Sequence, residues 1–377
     1  MSLRRILAIM RKEFTQIRRD PRSLAIIFVL PLVLLLIYGY AVNLDVKHVP
    51  LCVFDRDGTQ DSQDLLKAFQ ATEYFDVVHV ARNYREVVEK IDTGECEIAV
   101  VIPHDFSQDL REAGGTSVQA ILDASDSNSA NIALGYTQAI VAAYSNRVQV
   151  EWAQRRGLPA PASVLDVRPR TWFNEDLESM ATIVPGVVAL VMAVVGAFLT
   201  SLTISREWER GTMEQLISTP VKALEIQIGK LIPYFLIGMV DTAVCAAAGV
   251  ALFRVPFRGS WAALFGSSAL FLVAVLSLGY WMSVVAKSQL AASQMALVAT
   301  FLPTFLLSGF LFPIDQMPVV VQGITRALPA RYYVTILRDV FLKGTPVRMF
   351  ASELVALSMY ALVLVTLATR AFQKRLE

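Results

Sequence analysis

The chain has 377 residues, 55% of them hydrophobic and only 18% charged, and 34 Lys/Arg against 33 Asp/Glu leave a net charge of +1. This composition excludes an ordinary soluble globular protein and points to a chain built largely of membrane-crossing segments. A cleavable leader is not expected, because the first apolar run is too long and lacks a small-residue cleavage site.

Residues 1–22 carry seven Lys/Arg against Glu13 and Asp20. Among them Leu3, Ile6, Leu7, Met10, Phe14 and Ile17 recur at helical spacing, the pattern of an interfacial helix on an anionic leaflet. Anchoring accounts for that pattern as well as docking of a partner does. The first span is expected over Ser23–Leu44, interrupted at Pro31.

Residues 45–178 follow, with 22 acids and 12 bases, a net charge near −10. They read as an exported α/β domain. Strands are expected at Pro50–Phe54, Phe75–Val80, Ile98–Pro103 and Val118–Leu122. Helices at Gln60–Gln70, Tyr84–Thr93 and Phe106–Ala113 alternate with them, which argues for a sheet with helical crossovers. A helix over Ser129–Arg156, about 40 Å long, comes next, and Gly157–Ala162 breaks it. Cys52 and Cys96 stand at strand beginnings. An oxidising compartment would permit a disulfide between them, but sequence alone does not bring them within bonding range. His48, His79 and His104 are isolated and make no metal-ligand spacing.

Five further spans are expected: Ala181–Ile204, Ile226–Phe253, Ser260–Ala286, Leu290–Phe312 and Phe350–Thr369. The second and third are joined by Arg206–Lys230, whose four acids and four bases demand water. This loop holds a short helix in which Thr212 is placed to cap, Gln215 to reach back, and Pro220 to stop. Met213, Leu216 and Ile217 share one face that needs a cover. The bilayer surface, the neighbouring helices and a separate protein all suit it. In the third span Asp241 is the one acid well inside the apolar region, about 22 Å along its helix. A buried acid either packs with a hydrogen-bond partner or lines a pathway; standing alone, it gives weak support to proton coupling.

Ser308-Gly309 and Pro313 mark a turn after the fifth span. Met317–Leu328 and Tyr332–Leu342, separated by Pro329, read as two short amphipathic helices on or in the outer leaflet, with Tyr332 and Tyr333 at the interface. The fold class is thus a polytopic α-helical membrane protein. It has six spans, an N-terminal amphipathic helix (1–22) and an exported α/β domain between the first two spans, with residues 179–377 holding the other five.

The positive-inside rule places residues 1–22, the 206–230 loop, Lys287, and Arg370, Lys374 and Arg375 in the cytoplasm, with both termini inside and 45–178 outside. Residues 313–349 disagree, carrying five bases against two acids on the outer side. No GxxxxGK[ST] loop occurs. The nearest string, Glu225–Leu231, lacks the first glycine and the hydroxyl, and nothing pairs a nucleophile with a base. No enzymatic site and no cofactor are expected in this chain.

Two motifs carry a resemblance. Arg206-Glu-Trp-Glu-Arg-Gly-Thr-Met-Glu-Gln-Leu-Ile-Ser-Thr-Pro220 with Gly229-Lys230, and Ser308-Gly-Phe-Leu-Phe-Pro-Ile-Asp-Gln-Met-Pro318 with Pro329, Tyr332 and Arg338, resemble bacterial ABC-type exporter permeases of the type V (ABC2-like) class, in the drug-efflux branch with a large periplasmic insert. The resemblance implies a coupling helix around Thr212–Ile217 docking on a separate ABC ATP-binding subunit. Glu207, Glu209 and Arg210 would stand at its polar edge, and Gly211, Glu214 and Pro220 would lie within the same contact. It implies a second permease chain, identical or paralogous, in the inner membrane, and for the insert a periplasmic adaptor. ATP would be bound by the partner subunit, and nucleic acid is not expected as a partner. A membrane receptor with an exported ligand-binding domain and an ion-coupled secondary transporter stand as alternatives. The near absence of charge in the spans suits a hydrophobic or amphipathic cargo.

Overall fold

Residues 2–41, 46–111, 116–155 and 179–372 are described by the computed structural model. The expected break at Gly157–Ala162 and the bases Lys374 and Arg375 lie outside the described residues. The chain divides into two compact units, Met1–Asn43 with Thr171–Glu377, and Leu44–Arg170.

The first unit opens with α1 (Leu3–Arg18) and α2 (Pro21–Ala41), which continues through Pro31. The second unit runs β1 (Val49–Asp55), α3 (Gln60–Gln70), β2 (Phe75–Val80), α4 (Tyr84–Asp92), β3 (Ile98–Ile102), α5 (Phe106–Arg111), β4 (Gln119–Leu122) and α6 (Ser127–Arg155). Its sheet has the order β2-β1-β3-β4, with β1 parallel to β2 and β3, and β4 antiparallel to β3. Period-two alternation in β1 sends Val49, Leu51 and Val53 into a core with Leu65, Phe69 and Phe106. Cys52 points to the opposite face, beside Val87 of α4, where it forms a disulfide with Cys96, with Cα atoms 5.8 Å apart. The compartment-dependent bond that sequence left open is therefore made.

The first unit resumes with α7 (Ser179–Glu209), α8 (Met213–Ser218), α9 (Ala223–Ala251), α10 (Trp261–Ala286), α11 (Gln289–Leu307), α12 (Val319–Thr325), α13 (Pro329–Arg338) and α14 (Ala351–Ala371). Among the described residues five helices are long and apolar enough to cross a membrane: α7, α9, α10, α11 and the stretch Val347–Ala371. The stretch Leu24–Tyr40 in α2 is a shorter apolar helix. α7 is the hub, touching α2, α9, α10, α11 and α13.

The segment after α11 departs from expectation. The helix expected from Met317 begins at Val319 and ends at Thr325, preceded by a single 3-10 turn at Ile314–Gln316. The next one starts at Pro329, whose fixed φ suits the first helical position. Tyr333 is not interfacial. It is fully buried, its ring stacked on Phe271 at 4.2 Å and its hydroxyl 2.7 Å from Ser268 Oγ. Three of the five bases of this segment have partners within the chain. Arg338 donates to Phe310 O at 2.9 Å, Arg331 to Thr325 Oγ1 at 2.6 Å, and Lys343 pairs with Asp339 at 2.6 Å.

Candidate functional site

The loop from Arg206 to Lys230 is where α1, α7, α8 and α9 converge. α7 ends at Glu209, and the chain reverses through Arg210 and Gly211, whose φ of +68° is the left-handed conformation glycine adopts without penalty. Thr212 does not cap α8. Its amide donates to Glu207 O at 3.0 Å and its hydroxyl to Glu207 Oε2. The expected capping box fails because Thr212 has helical rather than extended backbone angles (φ −83°, ψ −6°), so its side-chain oxygen is not set to accept from the first-turn amides. Capping occurs instead at α9, where Glu225 Oε2 accepts from Lys222 N at 3.0 Å and Oε1 from Ser2 N at 2.6 Å. Arg5 donates to Pro220 O and lies 3.8 Å from Glu225, so the start of α1 is tied to both ends of the segment that follows α8.

A buried ionic cluster lies beneath. Lys230 is 1% exposed, and its ammonium donates to Glu13 Oε1, to Glu207 Oε1 at 3.2 Å and to Thr203 O at 3.3 Å. Those three acceptors use all three of its protons. Lys12 adds a bond to Glu207 Oε1 at 2.7 Å. A carboxylate in the last turn of α7 opposes the helix dipole, and the two ammonium groups offset it. Gly229 lets α1 come this close: a Cβ there would meet Ile9 Cβ at 2.9 Å.

The residues expected at the docking surface divide by burial. Glu207 and Met213 are buried within the chain, at 5% and 2% exposure. Met213 packs with Ile204, Ile226 and Tyr280, and Leu216 and Ile217 lean half-buried on the same cluster. The apolar face of α8 is covered by its own chain because that cover lies next to it. Glu209 is also engaged internally, accepting from Gln289 N at 2.6 Å. What remains outward is polar: Arg210, Gly211, Glu214, Gln215, Ser218 and Pro220 are exposed.

Glu13, Lys12 and Lys230 were missed as site residues, although a signal was present. Glu13 occupies the same helical face as the buried Ile6 and Ile17, and Lys230 follows the buried Ile226 by four residues. Far from this cluster, Asp241 is buried in α9 with no ion-pair partner among the described residues. Ser308 and Gly309 follow α11, Phe310 N donating back to Ser308 Oγ at 3.2 Å. Pro313 precedes the 3-10 turn, and Tyr332 donates to Arg326 O at 2.9 Å.

A long buried helix, a charged loop held against an N-terminal helix, and further spans beyond it agree with what comparison with known proteins finds. Residues 21–370 match the family described as ABC-2 family transporter protein. The chain belongs to the ABC-2 transporter family. It is 39% identical over 345 residues to the probable multidrug ABC transporter permease YbhS of Escherichia coli, covering 91% of this chain and 90% of that one. It is 28% identical over 368 residues to the probable multidrug ABC transporter permease YbhR of the same organism, covering 97% and 96%. The linearmycin resistance permease protein LnrN of Bacillus subtilis is 24% identical over 367 residues, covering 92% and 93%. This ABC-2 permease is the multi-pass membrane subunit of an ABC exporter. Its ATP-hydrolysing site belongs to an ATP-binding partner subunit. The receptor and ion-coupled readings give way to this one.

Proposed function

We propose that this permease moves hydrophobic or amphipathic compounds outward, with α8 as the lever on which the ATP-binding subunit acts. The observation that carries the reading is the division of α8 into an anchored face and an exposed one. Met213 is held in the chain's own core, while Glu214, Gln215 and Ser218 lie open to solvent. A force on the open edge passes directly to α7 and α9 through Glu207 and Lys230. The cargo class rests on the near absence of charge along the spans, which makes a poor route for ions and a suitable one for apolar surface. The names of the relatives, two of them multidrug permeases and one a linearmycin resistance permease, agree with it.

The same reading places the protein in a bacterial inner membrane with six spans, α2 being the first, and both termini in the cytoplasm. Residues 45–178 are then periplasmic, which the Cys52–Cys96 disulfide supports, since such bonds persist in oxidising compartments. A second permease chain completes the pathway, and the exported domain offers a surface for an adaptor. Ser308, Gly309, Pro313, Pro329, Tyr332 and Arg338 shape the outer end, and Asp241 lines the route between.

The test is the permease purified with its ATP-binding subunit and screened with lipophilic dyes. Reversing the open edge with Glu214→Lys and Gln215→Glu is expected to lower cargo-stimulated ATP hydrolysis by tenfold or more while leaving membrane insertion intact. Unchanged stimulation in the variant overturns the assignment of α8 as the lever.

A further inference from the structure

On α7, every residue from Ile183 to Glu207 is buried except Phe198, Leu202 and Arg206. With the exposed Arg210 these repeat at each fourth position, a single stripe about 18 Å long that runs from basic to apolar. The stripe lines one side of a cleft of about 1260 Å³, with α1 opposite and the beginnings of α2 and α11 at its ends. Arg11 and Lys12 of α1 and Arg19 just after it face into it, and Ile26 of α2 extends its apolar part. Five cations therefore line the cleft with one acid, Asp20, which lies 3.7 Å from Arg206. Lys12 is engaged with Glu207. Arg11, Arg19 and Arg210 have no carboxylate within ion-pair distance among the described residues, and all three are exposed.

The order of chemistry along this stripe is that of an amphiphile: cationic donors at one end, a ring and branched aliphatic side chains at the other. Guanidinium groups match phosphate oxygens by paired donation, and apolar side chains match an acyl chain. A second copy of the same face is a poor occupant, because two-fold pairing sets each patch against itself and would bring like charges together. We propose that the cleft holds the phosphate-bearing headgroup of one anionic phospholipid of the inner leaflet, among Arg11, Arg19 and Arg210, with its acyl chain along Leu202, Phe198 and Ile26. This goes beyond adsorption of α1 on a charged surface, since it places a single lipid beside the lever, and it rests on the orientation proposed above. The bound lipid neutralises the cations that α1 and α7 present to each other, and so helps hold the two helices together at the ionic cluster.

The experiment uses the permease with its ATP-binding subunit in phosphatidylcholine nanodiscs containing a minor fraction of phosphatidylglycerol with a photoactivatable acyl chain. Adducts are mapped by mass spectrometry. Arg11→Gln/Arg19→Gln is compared with Arg4→Gln/Arg18→Gln, which removes the same charge from exposed positions of α1 outside the cleft. Adducts on the peptide containing Phe198 and Leu202 are expected in the parent and the control pair. They are expected to fall by about 30-fold or more in the cleft pair, as the loss of two guanidinium–phosphate contacts predicts, and inorganic phosphate in excess is expected not to displace the label. Equal loss in both pairs would reduce the effect to diffuse attraction and overturn the site. Displacement by inorganic phosphate would leave a phosphate site with no lipid. Equal labelling by a neutral photoactivatable lipid would remove the headgroup's role. An inverted topology, read separately by the reductant experiment below, would sink the orientation itself, whereas loss of the lipid under a confirmed topology sinks only this proposal.

Discussion

The unit made of residues 1–43 and 171–377 and the unit of residues 44–170 secure themselves by opposite means. The first buries Glu13, Glu207 and Lys230 in one cluster that joins three helices. The second has no fully buried charged side chain among its described residues and is closed by a covalent bond between Cys52 and Cys96, 44 residues apart. The contrast follows from the solvent each must face. Helices packed in lipid gain little from burying apolar side chains, since the lipid is equally apolar, so polar contacts and close packing must define how they meet. A small sheet domain in water has the hydrophobic effect to assemble it, and a cross-link adds margin by restricting the unfolded chain. Polar chemistry therefore fixes geometry in one unit and limits unfolding in the other.

The contrast is tested most severely at Lys230. Lys230→Met leaves the Glu13 and Glu207 carboxylates buried against each other with only Lys12 nearby, and the expected loss is about 3–5 kcal/mol, the scale for breaking a buried ion pair. Thermal unfolding in detergent reads it. The triple variant Glu13→Gln/Glu207→Gln/Lys230→Met removes the charges together and is expected to recover most of that loss. If the single variant unfolds like the parent, the cluster is not what joins α1 to α7 and α9.

The disulfide is the smaller lever. Its removal in Cys52→Ala/Cys96→Ala is expected to cost about 2–4 kcal/mol, confined to residues 44–170 and visible as faster limited proteolysis there. The same bond sharpens the comparison in cells. If residues 44–170 are exported as proposed, a membrane-impermeant reductant applied to intact spheroplasts should open it, so that a thiol reagent added afterwards labels that unit. Labelling that requires lysis would place this unit on the inner side and reverse the topology.

Much of this is legible in the sequence. Gln60–Gln70 and Phe75–Val80 lie where their periods put them, and five of the six expected spans fall on helices long and apolar enough to cross a membrane, their ends within about five residues of the hydropathy limits. What sequence could not supply were partners distant along the chain. Glu13 and Lys230 are 217 residues apart, and each alone reads as a solvated charge. The local rule failed at Thr212 for a different reason: a cap needs an extended backbone, and the turn that follows α7 holds Thr212 in helical angles. The region after Pro313 misled through composition: amphipathic spacing implied a leaflet surface, whereas the apolar side of α13 packs on α7 and α10.

That last discrepancy supplies the gentlest test. In Tyr333→Phe the ring keeps its stack on Phe271 and loses only the hydroxyl, which lies 2.7 Å from Ser268 Oγ and 3.0 Å from Met192 Sδ. Ser268 still donates to Leu264 O at 2.7 Å, so no donor is stranded, and the expected loss is about 1 kcal/mol. Tyr333→Ala removes the ring as well and opens a cavity among α7, α10 and α13, for which about 3–5 kcal/mol is expected. An interfacial tyrosine, half in water, would give a small effect for both. The interval between the two substitutions, read by thermal unfolding under one set of conditions, therefore decides whether α13 is a structural wedge or a surface helix. A near-equal pair of small losses would return Tyr333 to the leaflet where its sequence first suggested it belonged.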